Sequence, residues 1–198
     1  MPYSEISASE ALNLLNLAEV VFRAPGLSEL AESFLHSLAR LTRSPAVTLY
    51  LRDPHLPPNT FFQMGLPPEA VPTVINRCAA QFHPESGKAN LEPVPVSLNG
   101  EPPAPLSLFS LHDQAKAVGL LGLVLPKPEP EAAKVLVHKA TGLLINPLRQ
   151  TIEHLDYEKQ IRNLNIYMNV SSMIAQALDL RDILEGVLYF CMEALSAE

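Results

Sequence analysis

The stretch PLSLFSLHDQAKAVGLLGLVLP, Pro105 to Pro126, decides the fold. Its first part alternates apolar and small polar residues, which is the pattern of a strand with unlike faces. The polar run HDQAK then turns the chain. The next segment, Ala117 to Leu125, is apolar almost without interruption, as a central strand covered on both faces should be. Two strands joined by so short a turn are antiparallel. A strand buried on both sides needs a layer of helices or loops above and below it.

Working outward, PVPVSLNGEPPAPLSLFSL reads as two strands about Asn99-Gly100, a dipeptide suited to a tight turn. Pro93, Pro95, Pro102, Pro103 and Pro105 lack amide donors, so they mark strand ends or a sheet edge. Further upstream, AVTLYLR and TFFQM are strands on either side of the turn cluster DPHLPPN. LPPEAVPTVINRCAAQF reads as a helix in which Pro72 is awkward, and HPESGKANLE as a loop. Two helices come first. One runs from about Ser7 to Phe22 with Leu12, Leu15, Val20 and Val21 on one side. Pro25-Gly26 breaks it. The second starts near Ser28 as N-cap, carries the stripe Leu30, Phe34, Leu35, Leu38 and Leu41, and ends at Pro45. From Pro130 onward the pattern is helical, with Pro147 expected to kink it. The order is helix, helix, strand, strand, helix, strand, strand, strand, helix. The fold class is α+β, with an antiparallel sheet of five or six strands flanked by helices and a long C-terminal helix.

The composition bounds the function. The chain has 198 residues, 47 % hydrophobic and 18 % charged, enough for a sizeable core and too apolar for disorder. A net charge of −7 argues against nucleic acid as a partner, which needs a cationic footprint. Only Cys78 and Cys191 are present, far apart, so neither a disulfide framework nor a cysteine metal site is expected. The N-terminus lacks the basic residues and apolar run of a signal peptide. No apolar run approaches the ~20 residues of a membrane span. A reducing, cytoplasmic setting is expected.

Few residues point to chemistry. His36, His55, His83, His112, His138 and His154 show no HxxxH or HExxH spacing, so no metal site is expected. His112 stands beside Asp113 in the turn, with no nucleophile to complete a catalytic set, and reads more simply as an exposed loop residue. No G-x-S-x-G, phosphate-binding loop or dinucleotide fingerprint occurs. An enzyme is therefore not expected, and no cofactor is named.

The chain contains a repeat. Asn16 to Pro45 aligns over Asn169 to Glu198 without a gap, apolar position upon apolar position. Leu30 meets Ile183, Phe34 meets Val187, Leu35 meets Leu188, and the break at Gly26 meets Asp179. The reading is one complete module, residues 1–156, followed by a linker helix and the opening helices of a second module, residues 157–198. The chain is thus expected to be a piece of a longer protein.

Taken together, LSELAESFLHSLARLTRSPAVTLYLRD, FFQMGLPPEAVPTVINRCAAQF, PLSLFSLHDQAKAVGLLGLVLP and EPEAAKVLVHKATGLLINPLRQTIE resemble a GAF domain over about Ala8 to Glu158. The first looks like its opening helix and first strand, and the last like the helix that leaves the domain. The PAS order of elements fits less well. The resemblance implies an input module of a signalling protein, often dimeric through its first and last helices, with a downstream signalling domain. It places a ligand pocket between one sheet face and the segment from Pro67 to Asn90. Phe62, Met64, Ile75, Cys78, Phe82 and Leu108 are the candidate lining, so a small ligand would be largely apolar or aromatic. The signature of cyclic-nucleotide-binding members is absent. Cys78 with His83 could mimic a bilin attachment site, but a small buried core thiol is the simpler reading. One cysteine in the module cannot run the disulfide cycle of the sulfoxide-reducing members.

The long helix offers a partner surface. Thr141, Ile145, Leu148, Ile152 and Leu155 follow coiled-coil spacing, and after Leu155 the phase shifts to Ile161, Leu164, Met168 and Ser171. Ile152, Leu155, Ile161, Leu164 and Met168 are the candidate interface of a parallel homodimer. The function expected is a sensory module that binds a small ligand and relays its state along the helix. The alternative is a ligand-free dimerisation or protein-interaction module.

Overall fold

The structure, a computed structural model, describes residues 8–82, 91–98, 102–113, 116–126 and 131–196. It divides into two units, Met1–Glu153 and His154–Glu198.

In the first unit, α1 (Ala8–Arg23) and α2 (Leu27–Thr42) pack on each other. Next come β1 (Val47–Leu51), β2 (Thr60–Met64), α3 (Val71–Gln81), β3 (Val94–Val96), β4 (Ala104–Asp113), β5 (Lys116–Val124) and the start of α4 (Glu131–Ser196). The strands form one antiparallel sheet in the order β2-β1-β5-β4-β3. Five strands agree with the expected class. As its apolar run requires, β5 lies at the centre, and every described residue from Gly119 to Leu125 is buried. The short β3, with Pro95 facing solvent, is an edge strand.

Local details differ from the sequence reading for physical reasons. The N-cap of α2 is Gly26, whose carbonyl accepts from the Leu30 N–H, so Ser28 lies inside the first turn. Pro72 is no interruption of α3, because it sits in the first turn where its missing N–H has no partner to lose. On α1 the buried side is Leu17 and Val21, while Leu12, Leu15 and Val20 are exposed. His112 belongs to β4 and not to a loop. The turn Asn99-Gly100, His83 and the side chain of Cys191 lie outside the described residues.

Cross-strand partners share a face of the sheet. One face carries Ala46, Tyr50, Leu106, Leu108, Ala117, Leu120 and Val124, packed against Val74 and Cys78 of α3, Phe82 just after it, and Val94 and Val96 of β3. The other carries Val47, Leu49, Leu51, Leu111, Leu121 and Leu123, all buried, on the side where α2 lies against β1 and β2. Arg149 of α4 reaches Asp113 of β4 at 3.5 Å. The module is thus a sheet between helical layers.

Two anchors fix the join between α2 and the sheet. The Ser44 hydroxyl lies 2.7 Å from the Ala46 carbonyl and 2.8 Å from that of Val124. Gly65 has φ +78°, and a Cβ there would meet the Pro45 carbonyl oxygen at 2.0 Å. Only glycine fits both demands.

The second unit is the remainder of α4. The break expected at Asp179 does not occur: the backbone is helical through it. In the first copy Pro25 removes an amide and restricts Ala24. Asp179 does neither and costs a helix only about 0.5 kcal/mol. The helix also continues through Pro147, whose carbonyl accepts from the Thr151 hydroxyl at 2.9 Å.

Candidate functional site

The α3 face of the sheet is where the candidate residues meet. Val74 and Cys78 recur one turn apart on α3 and are buried, with Val71, Ile75 and Ala79 partly buried beside them. Phe82 closes the helix, its N–H bonded to the Cys78 carbonyl at 2.9 Å. The sheet supplies Tyr50, Leu106, Leu108 and Leu120 from below.

Four of the six expected lining residues, Ile75, Cys78, Phe82 and Leu108, are together here. Phe62 and Met64 are not. Phe62 opposes Leu49 and lies on the other face, and Met64 lines a surface groove with Leu35 and His36 of α2. Period two sets this alternation. The residues of β2 on the α3 face are Phe61, which opposes Tyr50, and Gln63, which opposes Thr48.

The face is apolar but carries selected polar groups. Thr48 opposes Gly122, which in turn opposes Leu108, so Thr48 belongs to the α3 face. It is fully buried, and its Oγ1 has no hydrogen-bond partner among the described residues. His112 opposes Ala117 and shares the face, and its Nε2 is likewise buried without a partner among the described residues. A buried hydroxyl or imidazole nitrogen left unpaired costs about 1–3 kcal/mol. The Tyr50 hydroxyl does have a partner, donating to Asn59 Oδ1 at 2.9 Å. Asn59 holds that position from a left-handed backbone, φ 60°. Arg52 places its guanidinium 5.8 Å from the centroid of the Phe82 ring, and Tyr50 meets the same ring edge-on at 6.1 Å.

Electrostatics agree with burial. Desolvation pushes the Cys78 thiol up to about 12, so it is a neutral core thiol and not a nucleophile. The Tyr50 phenol is raised, mainly by desolvation; nearby Arg52 pulls it back and Cys78 adds to the rise. Among the described residues no group of three or more His, Cys, Asp or Glu side chains could hold a metal ion, and no helix is long and apolar enough to cross a membrane.

Thr48, His112, Tyr50 and Arg52 were not among the expected site residues. The signal for three of them is in the register: AVTLYLR puts Ala46, Thr48, Tyr50 and Arg52 on one face once period two is applied. Nothing local marks the half-buried His112, whose place on this face comes from pairing with Ala117 across the sheet.

Two open grooves lie elsewhere on the first unit. One, of about 260 Å³, runs between α1 and α2 past Asn13, Asn16, Val20 and Arg40. The other, of about 540 Å³, lies between α2 and β2 past Glu32, Ser33, Gln63 and Met64. Of the expected dimer residues, Ile152 is buried within the single chain, Leu155 is half-buried, and Ile161, Leu164 and Met168 are exposed.

No protein-family model matches the sequence, and no curated protein matches it at a significant level. Solved structures are similar. The GAF domain of an Acinetobacter phosphoenolpyruvate-protein phosphotransferase is 14 % identical, covers 73 % of this chain and 95 % of its own, and superposes with a TM-score of 0.51. The GAF domain of the potassium sensor histidine kinase KdpD from Escherichia coli is 15 % identical over 74 % of this chain and 98 % of its own, at 0.49. A phosphoenolpyruvate-protein phosphotransferase GAF domain from Coxiella burnetii is 15 % identical over 79 % and 99 %, at 0.47. The first of these carries the conclusion about architecture: the chain has a GAF-like α+β fold.

Proposed function

We propose that this GAF-like module is a non-catalytic sensor. It binds a small, mostly aromatic or apolar molecule on the α3 face and relays its occupancy through α4 to a signalling domain of a larger protein. The observation that carries this reading is the pair of unpartnered buried atoms, Thr48 Oγ1 and His112 Nε2, on a mostly apolar face. Cores rarely keep such groups unless something else pairs them. Thr48 and His112 stand two strands and four residues apart, roughly 16 Å by strand geometry, so a ligand would pair them through separate polar groups, with Arg52 at the rim as a cation and Phe82 and Tyr50 as ring partners.

The test is methyl NMR on labelled protein titrated with a panel of aromatic carboxylic acids. Saturable shifts confined to Thr48, Val74, Val94 and Leu108 are expected. Shifts spread over the α1–α2 groove instead, or none, overturn the reading.

One observation favours the alternative of a ligand-free dimerisation module. A Cβ on Gly122 would lie 2.4 Å from Thr48 Oγ1 and 3.0 Å from Leu106. Side chains have already filled that gap, as in a dry core. The same titration separates the two readings.

A further inference from the structure

The end of the β4–β5 hairpin faces both ways through the sheet. His112 and Asp113 are consecutive in β4, so their side chains leave on opposite faces. His112 opposes Ala117 on the α3 face, and its buried Nε2 has no partner among the described residues. Asp113 opposes Lys116, and its Oδ1 lies 3.5 Å from Nη1 of Arg149 on α4.

The pairing is irregular just there. Leu111 opposes Gly119 while His112 opposes Ala117, which leaves Val118 as the extra residue of a β-bulge. The Val118 carbonyl accepts from the Arg52 N–H at 3.1 Å. Arg52 is also the residue whose guanidinium covers the Phe82 ring. The bulge therefore joins the rim of the α3 face to the strand end that carries His112 and Asp113. A bulge interrupts the ladder, so this end of the hairpin can turn while the rest of the sheet keeps its register.

The ion pair is not what seats α4. Val137, Ala140, Leu144 and Leu148 of that helix are buried, whereas the side chains of Arg149 and Asp113 are 42 % and 25 % exposed. Such a pair adds little to stability, so it can open and reform while the helix stays in place. Arg149 also reaches Asn146 at 3.5 Å and Glu153 at 4.0 Å on its own helix, two partners that remain when Asp113 withdraws. Glu153 is the last residue of the first unit, so the guanidinium acts on the final turn of α4 within it.

We infer that Asp113 and Arg149 are positioning residues that couple His112 to α4. A group that pairs with His112 Nε2 turns the bulged strand end, and Asp113 carries that movement through the sheet to Arg149. Each step is a contact or a covalent neighbour, so the path is physically continuous. The inference rests on the proposed function in taking the α3 face as the input.

The backbone amide resonances of Asn146 to Glu153, read by NMR in the whole chain, test it without any ligand. His112→Ala should move them, and in an Asp113→Asn background the same substitution should move them at least threefold less. Resonances that His112→Ala leaves in place, or that move as far without the Asp113 carboxylate, overturn the inference. A merely local loosening of the hairpin gives one of those two results. Should His112→Ala fail to fold, His112→Gln takes its place with the same expectations. The panel of aromatic carboxylic acids supplies the second arm. An acid that shifts the Val74 and Leu108 methyls should also move these amides in wild type. In Asp113→Asn it should bind with a Kd within twofold of wild type and move them at least threefold less; equal movement overturns the coupling. If no acid binds, the ligand reading fails and the first arm still decides the coupling.

Discussion

The guanidinium of Arg52 sits over the ring of Phe82, 5.8 Å from its centroid, while Tyr50 meets that ring edge-on at 6.1 Å. The end of α3 is thereby clamped to β1. Phe82→Ala removes a buried ring and both contacts, and should cost about 3–4 kcal/mol in urea unfolding. Arg52→Ala removes only the cation and should cost about 0.5–1 kcal/mol. Equal losses for the two variants would mean that the clamp is not built on the ring.

Thr48 is a buried hydroxyl with no partner among the described residues, set against Gly122. Thr48→Val keeps the shape and removes the unpaired oxygen. The unliganded protein should become more stable by about 1 kcal/mol, since the desolvation cost disappears. A less stable variant in thermal or denaturant unfolding would contradict this account of the site.

Gly65 turns out of β2 at φ +78° against the Pro45 carbonyl. Gly65→Ala should cost about 3 kcal/mol, because both the conformation and the space exclude a methyl group. Gly142 has nothing near its Cβ position, and Gly142→Ala on exposed helix should stabilise by about 0.5–1 kcal/mol. Chemical denaturation of the two variants, read side by side, checks both signs.

Burial raises the Cys78 thiol from 9.0 to about 12. The folded protein therefore holds a proton that the unfolded chain releases between those values. The stability from this group is complete below pH 9 and is lost as pH rises towards 12, with a slope of about 1.4 kcal/mol per pH unit. Tyr50, also raised, adds to the loss above pH 10. Cys78→Ala should flatten the alkaline limb of the stability profile between pH 9 and 10, and an unchanged limb would contradict the assignment.

The architecture was legible because its strands announce themselves by period. AVTLYL, TFFQM and the apolar run into Val124 became β1, β2 and β5, and α2 buries the stripe Leu30, Phe34, Leu35 and Leu38, whereas α1 buries Leu17 and Val21 in place of its expected side. What the sequence concealed depends on register and context. Whether Phe61 or Phe62 faces α3 turns on pairing with β1, which a one-residue slip reverses. The apolar positions aligned with the first helices do not bring a matching break: the C-terminal helix has none where Gly26 breaks the first copy. A helix ends by proline and by tertiary capping, not by apolar spacing alone. His112 belongs to a strand that extends into what looked like a turn, which is how its Nε2 comes to be covered.

On the proposed function, the α3 face receives a small ligand through Thr48 and its neighbours. The most direct measurement is the thermal shift of the wild-type protein and of Thr48→Val across one panel of aromatic carboxylic acids. The expected result is a saturable rise in Tm for at least one compound with wild type, and a markedly smaller rise with Thr48→Val despite its higher starting Tm. A panel that leaves the wild-type Tm unmoved, or that moves both proteins equally, contradicts the claim.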